Sequence, residues 1–219
     1  MDLKLKDKLG SVTGGAKGIG AAITTTYAQE GAIAVAGDRD APACQALHDE
    51  VRAQGFQASF IAMDVAASEN CKAIVQPAIA TFDHVDARVN NAGINDREGL
   101  EHGSAQEFIC SLERNLLHYY NMAYYSVPHL KRARGSICQC RFKNGAHQSG
   151  RTSGYVASKP AILGMTHEWA TALLPYGIRV NAVVPAEVMT PHYQERLPSF
   201  ASPEEKLKSV VAKIPSTGE

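Results

Sequence analysis

The sequence predicts an α/β fold, a doubly wound parallel sheet with helices on both faces. Three observations carry that expectation. Short apolar or β-branched runs alternate with longer stretches of helical period, the pattern of βαβ units. A glycine-rich turn joins the first run to the first helix, and an acidic residue closes the second run. Strands are expected at residues 10–13, 33–37, 58–63, 87–90, 135–140 and 179–184. Helices are expected at 19–30, 42–53, 68–82, 105–131 and 153–174. Gly10, Ser11 and Arg88 run against the apolar character of buried parallel strands. With 219 residues and no repeat or low-complexity linker, one domain over 1–219 is expected.

Composition narrows the function classes. Hydrophobic residues make up 45% and charged residues 20%, near globular averages and away from disordered chains. Basic and acidic residues balance at 22 each, so no global field favours nucleic acid or an anionic membrane, and neither is an expected partner. No apolar run of about 18 residues is present, and a cytoplasmic location is the default expectation. Cys44, Cys71, Cys110, Cys138 and Cys140 form no C-x-x-C pair, which argues for buried thiols over a disulfide framework or zinc site. The histidines show no metal-ligand spacing, so no metal is expected.

The first element with chemistry in it is Thr13-Gly14-Gly15-Ala16-Lys17-Gly18-Ile19-Gly20. Gly14, Gly18 and Gly20 permit a tight turn and close backbone approach. The helix behind them offers unpaired N–H groups and a partial positive charge to a pyrophosphate. The plainer alternative is a glycine-rich strand-to-helix turn. Asp38, about twenty residues on, suits the hydroxyls of an adenosine ribose, which favours the dinucleotide reading and a Rossmann-like sheet. Asp38 repels a 2′-phosphate while Lys17 and Arg39 attract one. Because Asp38 meets the ribose directly, NAD is favoured and NADP is the alternative.

The same turn is followed by Asp64-Val65, Asn90-Asn91-Ala92-Gly93, Asn115, Tyr155-x-x-x-Lys159 and Arg179-Val180-Asn181. Together these resemble the short-chain dehydrogenase/reductase family from about Leu5 to Lys213. The resemblance implies that Asp64 and Val65 hold the adenine. It also implies that Asn91, Ala92 and Gly93 line the cofactor cleft, joined by Ile19, Pro185, Val188 and Thr190. Tyr155 and Lys159 lie four apart and share a helix face. A phenol near pKa 10 is a poor base at neutral pH, and an adjacent ammonium favours its phenolate. Tyr155 is then the acid/base and Lys159 its activator and ribose ligand. Asn115 supports a relay water, all three as the resemblance implies.

A narrower similarity, to the bacterial L-fucose dehydrogenase branch, lies in residues 91–96, 111–116 and 180–191. It implies oxidation of an aldose at its anomeric carbon to a lactone. Where many relatives carry glycine after the proline, this chain has Ala186 and then Glu187, read equally as reaching a sugar hydroxyl or facing solvent. The rival readings are an NADPH-dependent 3-oxoacyl-carrier-protein-type ketoreductase and a non-catalytic dinucleotide-binding or partner-binding protein.

The sequence also departs from the family. Phe142 stands where the resemblance implies a catalytic serine, thirteen residues before Tyr155, and Ser149 and Ser153 do not fit that offset. Loss of one such donor costs about two to three orders of magnitude in rate, so impaired activity is expected. A codon string spelling Val-Asn-Val-Val-Ser-Lys-Thr spells Cys-Gln-Cys-Arg-Phe-Lys-Asn when read from one base earlier. A compensated frameshift over residues 138 to about 149, with serine at 142 in the unshifted frame, is therefore expected. Pro160 is expected to kink its helix at a cost of roughly 3 kcal/mol unless it falls in the first turn. Relatives continue beyond Glu219 through another helix and a last strand. A truncated C-terminus lacking that strand is expected, putting a family-like homotetramer in doubt.

Overall fold

The computed structural model describes residues 2–96, 98–141, 152–185, 188–200 and 202–212, the side chains of residues 192 and 196 excepted. The chain begins β1 (Leu9–Thr13), α1 (Gly18–Gln29), β2 (Ile33–Asp38), α2 (Ala41–Ala53), β3 (Ala58–Ala62) and α3 (Ser68–Phe82). It continues with β4 (Ala87–Asn90), α4 (Ala105–Leu112), a π-helical turn (Glu113–Leu117), α5 (His118–Ala133) and β5 (Ser136–Cys140). Then come α6 (Ser153–Leu173), β6 (Arg179–Val183), α7 (Pro191–Arg196) and α8 (Pro203–Val211).

The strands form one parallel six-stranded sheet in the order β3-β2-β1-β4-β5-β6. The order reverses between β1 and β4, so the chain leaves the carboxyl ends of these two strands in opposite directions and opens a crevice there. On one sheet face Leu9, Val35 and Ile137 pack with Ala78 of α3, Ala123 and Leu130 of α5, and Leu173 of α6. On the other, Ala34 and Ala58 pack with Ala28 of α1 and Leu47 and Val51 of α2. A fully buried Leu130 or Ile137 contributes about 1.5–3 kcal/mol.

All six expected strands are present, within about two residues of their expected bounds. Gly10 makes room for a ring, and Ser11 and Arg88 pair with each other inside the sheet, with Arg88 Nη2 left without a hydrogen-bond partner among the described residues. At Gly10 an added Cβ would lie 2.3 Å from the Tyr27 ring, so the ring of α1 takes the space a side chain would need. Ser11 stands opposite Arg88 in the β1–β4 register, and the Arg88 guanidinium donates to Ser11 Oγ (2.6 Å) and Asn90 Oδ1 (3.0 Å). Burial lowers the pKa of the fully buried Arg88 to about 9. Cys44, Cys71 and Cys140 are buried thiols, whereas Cys110 and Cys138 are half-exposed.

The single helix expected over 105–131 is two helices joined by the π turn at Glu113–Leu117. Asn115 turns inward there and its amide donates to Ser111 O (2.9 Å), competing with the regular backbone ladder. The kink expected at Pro160 does not interrupt α6, which runs unbroken to Leu173. Ser158, Lys159, Ile162 and Thr166 are buried on the face of this helix turned to the sheet and α5, which offsets one lost hydrogen bond. Two helices beyond β6 were not expected, yet each opens with a proline in its first turn, after Thr190 and Ser202. No helix among the described residues is long and apolar enough to cross a membrane.

Candidate active site

The crevice is floored by the glycine turn. Gly14 and Gly18 hold φ of 62° and 54°, which L side chains rarely adopt, and a Cβ on Gly20 would lie 1.8 Å from Gly14 O. Thr13 Oγ1 accepts from Asn91 N (3.0 Å) and Ala92 N (3.3 Å), and the Asn91 amide donates to Thr13 O and Gly14 O. Gly14 N donates to Gly37 O (2.7 Å), so the ends of β1, β2 and β4 are tied together. Helix α1 begins at Gly18 with no side-chain cap. Its first N–H groups are left for a ligand, and a 12-residue helix brings a dipole to that end.

At the end of β2, Asp38 accepts from Ala16 N and Asp40 N, both at 3.1 Å. Lys17 is ion-paired with Asp40 across the mouth of the turn, and Arg39 is exposed. The pairing raises the Lys17 pKa and lowers that of Asp40. Asp64 is exposed and accepts from Ala66 N, while Val65 is buried against Ile74 and Met122. Ile19 lies in the first turn of α1. Thr190 lies over the glycine turn, its side chain 3.6 Å from where a Cβ on Gly18 would stand. Pro185 is partly buried and Val188 is 44% exposed on the same connection.

Opposite the turn, α6 brings Lys159 Nζ to 4.4 Å from the centroid of the Tyr155 ring. A Cβ on Gly93 would lie 3.2 Å from both Lys159 Nζ and Asn115 Oδ1, so β4's end, the π turn and α6 meet at one point. Asn115 Oδ1 accepts from Ile94 N (2.8 Å). Lys159 is fully buried, and its Nζ has no hydrogen-bond partner among the described residues. Burial, and then the charge of Arg141, lower its pKa to about 7. A buried ammonium without a hydrogen-bond partner among the described residues, beside a floor only glycines can form, is the observation that fits a dinucleotide's ribose and phosphates. The structure thus brings Tyr155, Lys159, Asn115 and Gly93 together, while Asp38 and Asp64 lie along the other arm of the crevice. Phe142, Ser149, Ala186 and Glu187 lie outside the described residues.

Several participants were missed in the sequence. Glu98, on the connection after β4, accepts from Gly154 N through its carboxylate (3.0 Å) and from Ser153 N through its carbonyl (2.8 Å). It thereby caps α6 immediately before Tyr155, where Thr152 gives no side-chain cap. Ser111 donates to Asp96 (2.8 Å), and Arg114 pairs with the same carboxylate at 3.8 Å. His118, one helical position beyond the π turn, is fully buried, near the backbone of Arg114 and Ala92. Burial, then the charges of Lys159 and Arg88, lower its pKa to about 3. Only the T-G motif hinted at Thr13's role; nothing local in the sequence marks Glu98 or His118.

A family profile described as short chain dehydrogenase matches residues 8–199. The chain is 35% identical over 193 residues to an L-fucose dehydrogenase of Rattus norvegicus, covering 88% of this chain and 70% of that one. It is 32% identical over 200 residues to a 3-oxoacyl-[acyl-carrier-protein] reductase of Thermotoga maritima, covering 91% and 81%. Among solved structures, Cj0485 dehydrogenase superposes with a TM-score of 0.88 at 39% identity, covering 98% of this chain and 82% of that one. With the profile spanning most of a chain whose sheet order and crevice already have the matching form, this protein belongs to the short chain dehydrogenase family, oxidoreductases that use NAD(P).

Proposed function

We propose that the chain is an NAD-preferring dehydrogenase of a secondary alcohol or sugar hydroxyl, with an L-fucose-like aldose as its favoured substrate. The observation that carries this reading is the convergence of Lys159 and Asn115 on Gly93 at the carboxyl end of β4, with the Tyr155 ring against Lys159. The bound nicotinamide supplies the hydride acceptor. Tyr155 takes the hydroxyl proton of the substrate, and Lys159, 4.4 Å from its ring, favours the phenolate while it is protonated. Asn115 fixes the backbone of Ile94 and so the wall beside the reacting carbon. Gly14, Gly18, Ile19, Gly20, Asn91, Ala92 and Gly93 form the floor and wall for the dinucleotide. Asp38 takes the adenosine ribose, with Asp64 and Val65 at the adenine, and Pro185, Val188 and Thr190 line the dinucleotide from the connection that returns over the glycine turn. The sugar preference is supported by the similarity to the rat and mouse L-fucose dehydrogenases. Phe142 occupies the sequence position at which the family resemblance implies a serine, thirteen residues before Tyr155, and slow turnover is proposed on that ground alone.

The test is the appearance of NADH absorbance with NAD and L-fucose, for the chain itself, Phe142→Ser and Tyr155→Phe. Phe142→Ser is expected to raise the rate by about two orders of magnitude. Tyr155→Phe is expected to lower it by about 10²–10⁴. Turnover only with NADPH and a 3-oxoacyl thioester would replace this reading with the ketoreductase one. Cofactor binding with no turnover in any variant would leave a non-catalytic binding protein.

A further inference from the structure

Lys17 and Asp40 meet as an ion pair at the mouth of the glycine turn, and that pairing goes beyond the assignment of the ribose to Asp38. Lys17 lies on the turn whose Ala16 N donates to Asp38, and the exposed Arg39 follows Asp38 directly in the chain. Lys17 is ion-paired with Asp40, and Asp38 and Glu195 of α7 add further negative charge around the same ammonium. Asp40 is itself fixed: its Oδ1 accepts from Ala43 N (2.9 Å) and caps α2, and its backbone N–H donates to Asp38 Oδ1 (3.1 Å). One carboxylate oxygen is therefore used for the helix and the other for Lys17.

We propose that Asp40 withholds Lys17 from an adenosine 2′-phosphate and so acts, with Asp38, as a determinant of NAD over NADP preference. The inference rests on the dinucleotide reading of the crevice. A phosphate placed beside Lys17 must displace Asp40 or accept its charge at close range, whereas a ribose hydroxyl meets neither cost. The pair is exposed, 64% at Lys17 and 34% at Asp40, so the effect is modest and sensitive to salt.

Asp40→Asn tests it, because asparagine keeps the cap acceptor for α2 while releasing Lys17. Binding of NADH and NADPH is measured by fluorescence of the bound reduced cofactor at low ionic strength, independently of turnover. The variant is expected to gain about two- to fivefold in NADPH affinity with NADH affinity little changed. That gain should shrink in about 1 M salt and vanish in Asp40→Asn/Lys17→Ala. An unchanged NADPH-to-NADH ratio in a variant that still binds NADH overturns the proposal and leaves the dinucleotide reading standing. A gain that survives removal of Lys17 overturns the route through Lys17. If the unaltered chain binds neither cofactor, the dinucleotide reading itself fails and the proposal with it.

Discussion

Lys159 is the residue at which fold and chemistry pull in opposite directions. Its ammonium is fully buried without a hydrogen-bond partner among the described residues, and burial lowers its pKa to about 7 from 10.5. Between those values the unfolded chain binds a proton there that the folded chain does not. Stability contributed at this position is therefore lost as pH falls towards 7 and rises as pH climbs from about 7 to 10.5. Urea melts of Lys159→Met are expected to lose most of the rise that the unaltered chain shows over that window. His118 acts at lower pH by the same sign. Its pKa falls from 6.5 to about 3, so the neutral ring stabilises the fold above 6.5 and that stability is lost as pH drops below it. His118→Gln should flatten the acid limb of the stability curve between about 6.5 and 3 while leaving the alkaline limb alone; equal acid slopes in both proteins would refute this.

Elements report which features local sequence can reveal. The glycine turn and the Tyr155–Lys159 spacing were legible because each depends on residues within a turn or two of one another, and Asp38 was legible only together with the glycine turn about twenty residues before it. The strands were legible from their apolar runs, with Gly10, Ser11 and Arg88 as apparent exceptions. Their explanation was not legible, because Arg88 and Ser11 are 77 positions apart and meet only through the β1–β4 register. The break between α4 and α5 escaped for a similar reason: it follows from what the Asn115 amide bonds to, not from any helix-breaking residue. For the buried pair, the cost falls on either change that leaves a partner unpaired. Ser11→Ala should destabilise by about 1–3 kcal/mol, because a buried donor loses its acceptor. Arg88→Met removes the buried charge but strands Ser11 Oγ and Asn90 Oδ1 without their donor, so it should also destabilise, by about 1–3 kcal/mol in chemical denaturation. At α6, Glu98→Ala removes the carboxylate that caps the helix before Tyr155. It is expected to cost about 1 kcal/mol in stability and to lower kcat more than it raises the KM for NAD. An unchanged kcat would show that the cap does not position Tyr155.

At the scale of the whole molecule, the crevice lies where the two halves of the sheet diverge, and residues from both halves close it. The glycine turn and Asp38 come from β1, α1 and β2. Gly93, Asn115, Tyr155 and Lys159 come from the chain after β4, and Thr190 returns from β6 to lie over Gly18. The halves are joined by the β1–β4 pairing and by Thr13 and Asn91 at its end. A ligand bridging that seam binds the folded chain and not the unfolded one, so it stabilises the whole molecule by mass action. At about one hundred times its dissociation constant NADH contributes ~2.7 kcal/mol. For a chain of this size that is a rise in Tm of about 5–10 °C. Gly20→Ala is expected to abolish the rise, because its Cβ would stand 1.8 Å from Gly14 O and push the turn out of shape. The variant's own Tm without ligand will fall as well, so the decisive quantity is the ligand-induced increment, measured by calorimetry on both proteins. An increment preserved in Gly20→Ala would mean that the dinucleotide does not seat on the glycine turn, and the assignment of this crevice would have to move.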